Sequence, residues 1–378
     1  MIRGAVGAVA VACLTGVLAC PASADPPSPA PDPILPPLAL GQVVRIGPVA
    51  GTGTPTRDYG IGATDLCEFM EFPTELLQIC GDSFAGPGVG FGGWFSPVAL
   101  HVAGDSVDDP EGVRYTGVTG VDRPLLADPA PPGSSQLPAG VVQINRQNYL
   151  LVTTTKNLVP ASSRLVKAQA GQGGWTTVPG SVRRAGYADG RQTQISGYYN
   201  PIPTGESQTG WVYVVANNFD RSGPVVLYRA TPQSFTDRSS WQGWAAGPGG
   251  GWNQPPTPLW PDRVGEMNIR EIDGKAVLSY FNASTGNMEV RVAYDPTGLG
   301  TAPATTVVRA GEWPDPVESL PPPEDNRLAQ PYGGYISPGS TLDEVRVFVS
   351  QWNTAPRDRT PYRVIQFAVN PFKPWSEP

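Results

Sequence analysis

The sequence predicts an all-β fold, and three observations point there. Glycine and proline are dense, 45 and 44 of 378 residues, which leaves few uninterrupted stretches long enough for a helix. Aromatic residues are nonetheless spread along the chain, with 10 Trp, 13 Tyr and 11 Phe, whereas disordered segments are poor in them. A two-strand unit also recurs: an apolar, β-branched run, a polar loop, then a second run with alternating charge, which is how an antiparallel hairpin reads.

The chain opens on an expected signal peptide over residues 1–24. Arg3 supplies the positive start, Ala5 to Ala19 the apolar run, and Ala22-Ser23-Ala24 a small-residue cleavage site. Val17-Leu18-Ala19-Cys20 offers lipoprotein processing at Cys20 as the alternative. Either route predicts a secreted or envelope-associated protein. No later apolar segment approaches the roughly 20 residues that spanning a membrane requires. Residues 25–39 form a proline-rich spacer without core potential. From 40 to 378 no charge run or linker divides the chain, so one domain is expected.

The first hairpin of that domain runs from Thr64 to Phe84, with its turn near Pro73-Thr74. Tyr149 to Thr154 pairs with Ser163 to Ala168, and Trp211 to Ala216 with Gly223 to Ala230. Lys275 to Phe281 pairs with Met288 to Ala293, and Glu344 to Ser350 with Tyr362 to Val369. Five such units predict a five-bladed β-propeller, in which radial repetition protects the strand edges. A β-sandwich or a pair of β domains is the alternative.

Composition narrows the chemistry. The net charge is −7, and nucleic-acid binders draw their affinity from Lys and Arg, so no nucleic acid is expected. One histidine, His101, is present; zinc sites usually need several His or Cys ligands, and neither metal nor cofactor is expected. Signal removal leaves Cys67 and Cys80, and two cysteines in an exported chain suggest one disulfide.

A symmetric turn about Pro73-Thr74 places Phe72 opposite Glu75, Cys67 opposite Cys80, and Asp65 opposite Asp82. The cysteines and the aspartates then share one register, because side chains alternate with period two. Like charges facing each other in a sheet are destabilising, which invites a functional explanation: burial and repulsion raise one pKa and leave an acid beside an ionised base. Paired carboxylates are the equipment of glycoside hydrolysis. The competing reading has both aspartates making turn or strand-end hydrogen bonds. Trp94 and Trp352 could stack on a sugar ring, and Asp220, Arg221, Glu266, Asn268 and Tyr332 are candidate polar contacts at comparable positions of the other units. Gly81-Asp82-Ser83 also resembles the nucleophile block of an esterase class, but no histidine follows His101 to serve it.

Gly62-Ala-Thr-Asp-Leu, Cys80-Gly-Asp-Ser-Phe, Trp94-Phe-Ser-Pro, Gly265-Glu-Met-Asn-Ile-Arg and Pro331-Tyr-Gly-Gly-Tyr together resemble an actinobacterial family, domain of unknown function 4185, over most of Gly41 to Asn370. The resemblance implies a five-bladed propeller and an endo-D-arabinanase, cutting D-arabinofuranose chains of cell-wall arabinogalactan and lipoarabinomannan. It also implies that the two acidic catalytic residues are Asp65 and Asp82. Cys67 stands where the family more usually has Gly. A non-catalytic glycan-binding propeller, which needs no ionisable pair, is the alternative function.

Overall fold

The computed structural model describes residues 37–171, 173–313, 326–355 and 359–375. The expected signal peptide and most of the spacer lie outside them. The described elements are strands and short 3-10 turns of at most five residues, with no α-helix among the described residues, so the fold is all-β. Among the described residues no helix is long and apolar enough to cross a membrane.

Strand β1 (Val43–Gly51) opens the fold. The first hairpin follows as β2 (Glu68–Glu71) and β3 (Leu76–Cys80), extended outward by β4 (Val98–Val102) and β5 (Tyr115–Thr119). Glu68 pairs with Ile79 and Glu71 with Leu76, and Phe72 N donates to Glu75 O at 2.9 Å. The turn at Pro73-Thr74 is therefore symmetric, as the sequence predicts. Antiparallel order continues through β6 (Ser135–Ile144), β7 (Gln147–Lys156) and β8 (Val159–Lys167), then through β9 (Gln194–Asn200), β10 (Trp211–Asn217), β11 (Val226–Ala230) and β12 (Gln242–Ala245).

These two runs merge into one long sheet because β6 and β9 pair in parallel, Gly197 with Val142 and Tyr198 with Gln143. The approach there is close. A Cβ on Gly140, whose φ is +130°, would lie 1.6 Å from Ile195 O, so only glycine fits. The next sheet holds β13 (Val264–Ile272), β14 (Lys275–Asn282), β15 (Asn287–Ala293) and β16 (Ala304–Gly311). The last holds β17 (Pro331–Ile336), β18 (Val345–Trp352) and β19 (Tyr362–Val369), with β1 as its outermost strand.

All five hairpins expected from the sequence form, with Leu165 facing Leu151, Val214 facing Tyr228, Leu278 facing Arg291 and Phe348 facing Gln366. The sequence pattern does not reveal β6, β9 and β17 as strands. They carry Gly, Pro and polar residues toward the middle of the molecule, which blurs the apolar alternation that marks a half-buried strand. These strands and β2 and β13 touch in a cycle: β6 with β9, β9 with β13, β13 with β17, and β2 with both β6 and β17.

Buried aliphatic side chains fill the spaces between sheets, Val277 and Val290 against Val347 and Ile365 among them. The Phe69 and Phe348 rings meet edge to face at 4.8 Å, tying the first hairpin to β18 with a contact of about 1 kcal/mol beyond its buried area.

Candidate active site

The register of the first hairpin holds on both sides of the two aspartates. Below them Glu68 pairs with Ile79 and a disulfide joins Cys67 to Cys80. Above them Ala63 bridges to Phe84 and the Thr64 and Ser83 hydroxyls lie 2.7 Å apart. In between, Asp65 O accepts from both Cys67 N and Gly81 N at 2.9 Å. Leu66 adopts φ +65° there, a region costly for a branched side chain, and its N–H donates to Ser350 Oγ at 2.9 Å.

Asp65 and Asp82 line one cleft of about 640 Å³. Asp65 is 7% exposed. Tyr332 Oη donates to its Oδ2 at 2.8 Å, and Tyr362 also bonds the carboxyl. Its Oδ1 is buried and finds no hydrogen-bond partner; a Cβ on Gly81 would stand 2.6 Å from that oxygen. Burial pushes the Asp65 pKa up to about 8, with the Asp82 charge adding to the rise and the two tyrosine hydrogen bonds opposing it. Burial also raises Asp82, against hydrogen bonds from Trp94 and Ser96. The Trp94 bond, Nε1 to Asp82 Oδ1, is 2.8 Å long.

Across the cleft Arg221 pairs with Glu266 at 2.6 Å and its guanidinium lies over the Phe281 and Tyr332 rings, 5.0 and 5.2 Å from their centroids. Glu266 is 7% exposed and is held on its other oxygen by Gly333 N at 3.4 Å. Asp220 lines the same cleft with its Oδ1 occupied by Ser222 N and Oγ. Trp352 lines it too, edge-on to Tyr362 at 5.9 Å.

The structure thus brings Asp65, Asp82, Asp220, Arg221, Glu266, Tyr332 and Trp352 to one cleft, with Trp94 on its Asp82 side. Asn268 goes elsewhere. Two residues past Glu266 it faces the same way, but its amide donates to Glu68 Oε1 at 2.8 Å and its Oδ1 accepts from Ile336 N at 3.0 Å, and it borders a second cavity. Period two gives the face and says nothing about depth along it. Tyr362, Phe84 and Phe281 are cleft residues that the sequence reading passed over; each sits in a hairpin strand where an aromatic reads as core. Ser83 is fully buried, its Oγ bonded to Thr64 and to Gly81 O.

The family model for "Domain of unknown function (DUF4185)" matches residues 50–368. The chain belongs to this family. Within reach of the DUF4185 match, a Mycolicibacterium smegmatis protein named "Uncharacterized 35.9 kDa protein in asd 3'region" is 74% identical over 333 residues, covering 88% of this chain and all of that one. Notoamide biosynthesis cluster protein J' of Aspergillus versicolor is 34% identical over 158 residues, 40% of this chain and 39% of its own. A Bacteroides ovatus ATCC 8483 protein, provisionally named a hydrolase, superposes on this DUF4185 chain with a TM-score of 0.53 at 15% identity, covering 83% of this chain and 87% of that one. That likeness is one of fold.

Proposed function

We propose that the protein is a secreted, five-bladed propeller that hydrolyses internal D-arabinofuranosyl linkages of cell-wall arabinan. The single observation that carries the hydrolase reading is the convergence of Asp65 and Asp82 on one cleft with the deeper carboxyl pushed up to about 8. At neutral pH Asp65 then holds a proton beside the Asp82 carboxylate, an acid and a base produced by one environment.

In this reading Asp65 gives its proton to the departing glycosidic oxygen as the C–O bond breaks. Asp82 attacks the anomeric carbon or takes the proton of the attacking water. Trp94 holds Asp82 in place through Oδ1. Phe84, Phe281 and Trp352 supply apolar faces for sugar C–H groups, and the Arg221–Glu266 pair supplies donors and acceptors for hydroxyls. The cycle of contacts among β2, β6, β9, β13 and β17 supports five blades around one axis. The arabinan substrate follows from the family resemblance, and export from the leader over residues 1–24.

The test is digestion of purified arabinan, galactan and mannan by the mature protein, with Asp65→Asn and Asp82→Asn as controls. Shorter oligosaccharides from arabinan alone are expected. Azide should restore turnover to Asp82→Asn, and an activated aryl leaving group to Asp65→Asn. Parental cleavage rates in both variants would defeat the assignment, and release of single sugars only would defeat the endo mode.

A further inference from the structure

The strands that build the cleft continue inward to a second cavity. β13 carries Glu266 to the cleft and, four residues on, Arg270 to a separate hollow of about 330 Å³. β2 does the same, with Asp65 just ahead of it at the cleft and Glu68 in the hollow. Between the two lies a polar plug. Asn268 links Glu68 Oε1 at 2.8 Å, Ser196 Oγ at 3.2 Å and Ile336 N at 3.0 Å, so Glu68 and Asn268, 3% and 4% exposed, form a closed floor.

The walls are polar and mostly held in place. Arg270 pairs with Glu71 at 2.6 Å, yet its buried Nε has no hydrogen-bond partner. Gln143 Nε2 and Asn148 Nδ2 both donate to Glu71 O at 2.6 Å, which fixes the two amides side by side. Tyr198 stands at one side, its ring 5.7 Å from Tyr213 in the facing strand position, and Glu271 lies on the rim.

We propose that this hollow is a second, non-catalytic carbohydrate-binding site that takes a neutral sugar residue of the same glycan. The ligand class rests on the glycan reading of the cleft, and the walls support it independently. Arg270 is paired with Glu71, and Glu68 and Glu271 also line the hollow, an unfavourable balance for phosphate or carboxylate ligands. The lining mixes amide, guanidinium and carboxyl groups with a tyrosine face, the polar spacing and aromatic surface that hydroxyl-rich ligands need. Too few aliphatic side chains reach it for a lipid.

The experiment titrates full-length mature Asp65→Asn with a linear D-arabinofuranose hexasaccharide by calorimetry. Two equivalents are expected. Tyr198→Leu and Glu271→Ala should each weaken one of them by about tenfold and leave the other intact, while Trp352→Ala weakens the other. Glu271 is exposed, so its variant tests the site even where Tyr198→Leu fails to fold. One equivalent, lost on Trp352→Ala and indifferent to Glu271→Ala, overturns this proposal and leaves the cleft reading standing. One equivalent that depends on Glu271 and Tyr198 alone supports the second site and removes substrate from the cleft. Heat from calcium chloride with none from the hexasaccharide overturns the proposal as well.

Discussion

Tyr332 Oη donates to Asp65 Oδ2 at 2.8 Å across 267 residues of sequence. The bond joins the last sheet to the first hairpin at the point where the proposed acid must be held. It stabilises the ionised form, so it pulls the Asp65 pKa down against burial. Tyr332→Phe should therefore move the basic limb of the pH–rate profile upward, with the deeper carboxyl protonated to higher pH, and cost about 1–3 kcal/mol of stability for the unpaired oxygen. An unmoved basic limb with a lowered Tm would leave Tyr332 a structural role only.

Trp94→Phe acts on the other carboxyl. The indole N–H favours ionised Asp82, and its loss lets burial raise that group further. Because the proposed reaction needs Asp82 ionised, the acidic limb of kcat/KM should move to higher pH. A shift of the basic limb instead would exchange the roles of the two aspartates.

Gly81→Ala is a test of position. The added methyl would stand 2.6 Å from Asp65 Oδ1 and 3.0 Å from Leu66 Cδ1, so the carboxyl must move. A displacement of that size costs about a hundredfold in kcat with the near- and far-UV circular dichroism unchanged. Parental kcat would show that Asp65 need not sit where it does.

Stability should fall as pH rises. Asp65, from 3.8 to about 8, and Glu68, from 4.5 to about 8, both keep their protons in the fold at pH values where the unfolded chain has lost them. Their contribution is greatest at the acid end and declines between roughly pH 4 and 8. Urea unfolding across that range should show the decline, and Asp65→Asn or Glu68→Gln should flatten it and gain most at pH 8. A curve equally steep in both variants would contradict it.

Cys67 and Cys80 close a loop with sequence separation 13, worth about 3 kcal/mol by chain entropy. Cys67→Ala/Cys80→Ala should lower the urea midpoint at an almost constant slope. It should also lower kcat, because the bridge lies between the paired part of the hairpin and the two aspartates.

Much of this was legible in the chain and some was not, for physical reasons. A turn at Pro73-Thr74 and a period of two suffice to set Asp65 against Asp82, since every pairing step follows from the one before. The outer hairpins are legible because one face packs on a neighbouring sheet. β6, β9 and β17 are hidden because their inward faces meet polar groups and close backbone instead of aliphatic core, as Gly140 against Ile195 shows. Asn268 lies off the cleft for a related cause: strand periodicity resolves a face, while the level at which a side chain sits along the strand depends on how strands from distant parts of the chain are staggered.

The last sheet has its own bearing on how the molecule is made. Val43 pairs with Val369 and Gly51 with Arg363, so the first strand of the described residues waits for the last before those hydrogen bonds are met. Closing that pair is slow by the length of chain between its two strands, and a premature stop ahead of Tyr362 strips β1 of its partner and bares a sticky edge to other copies.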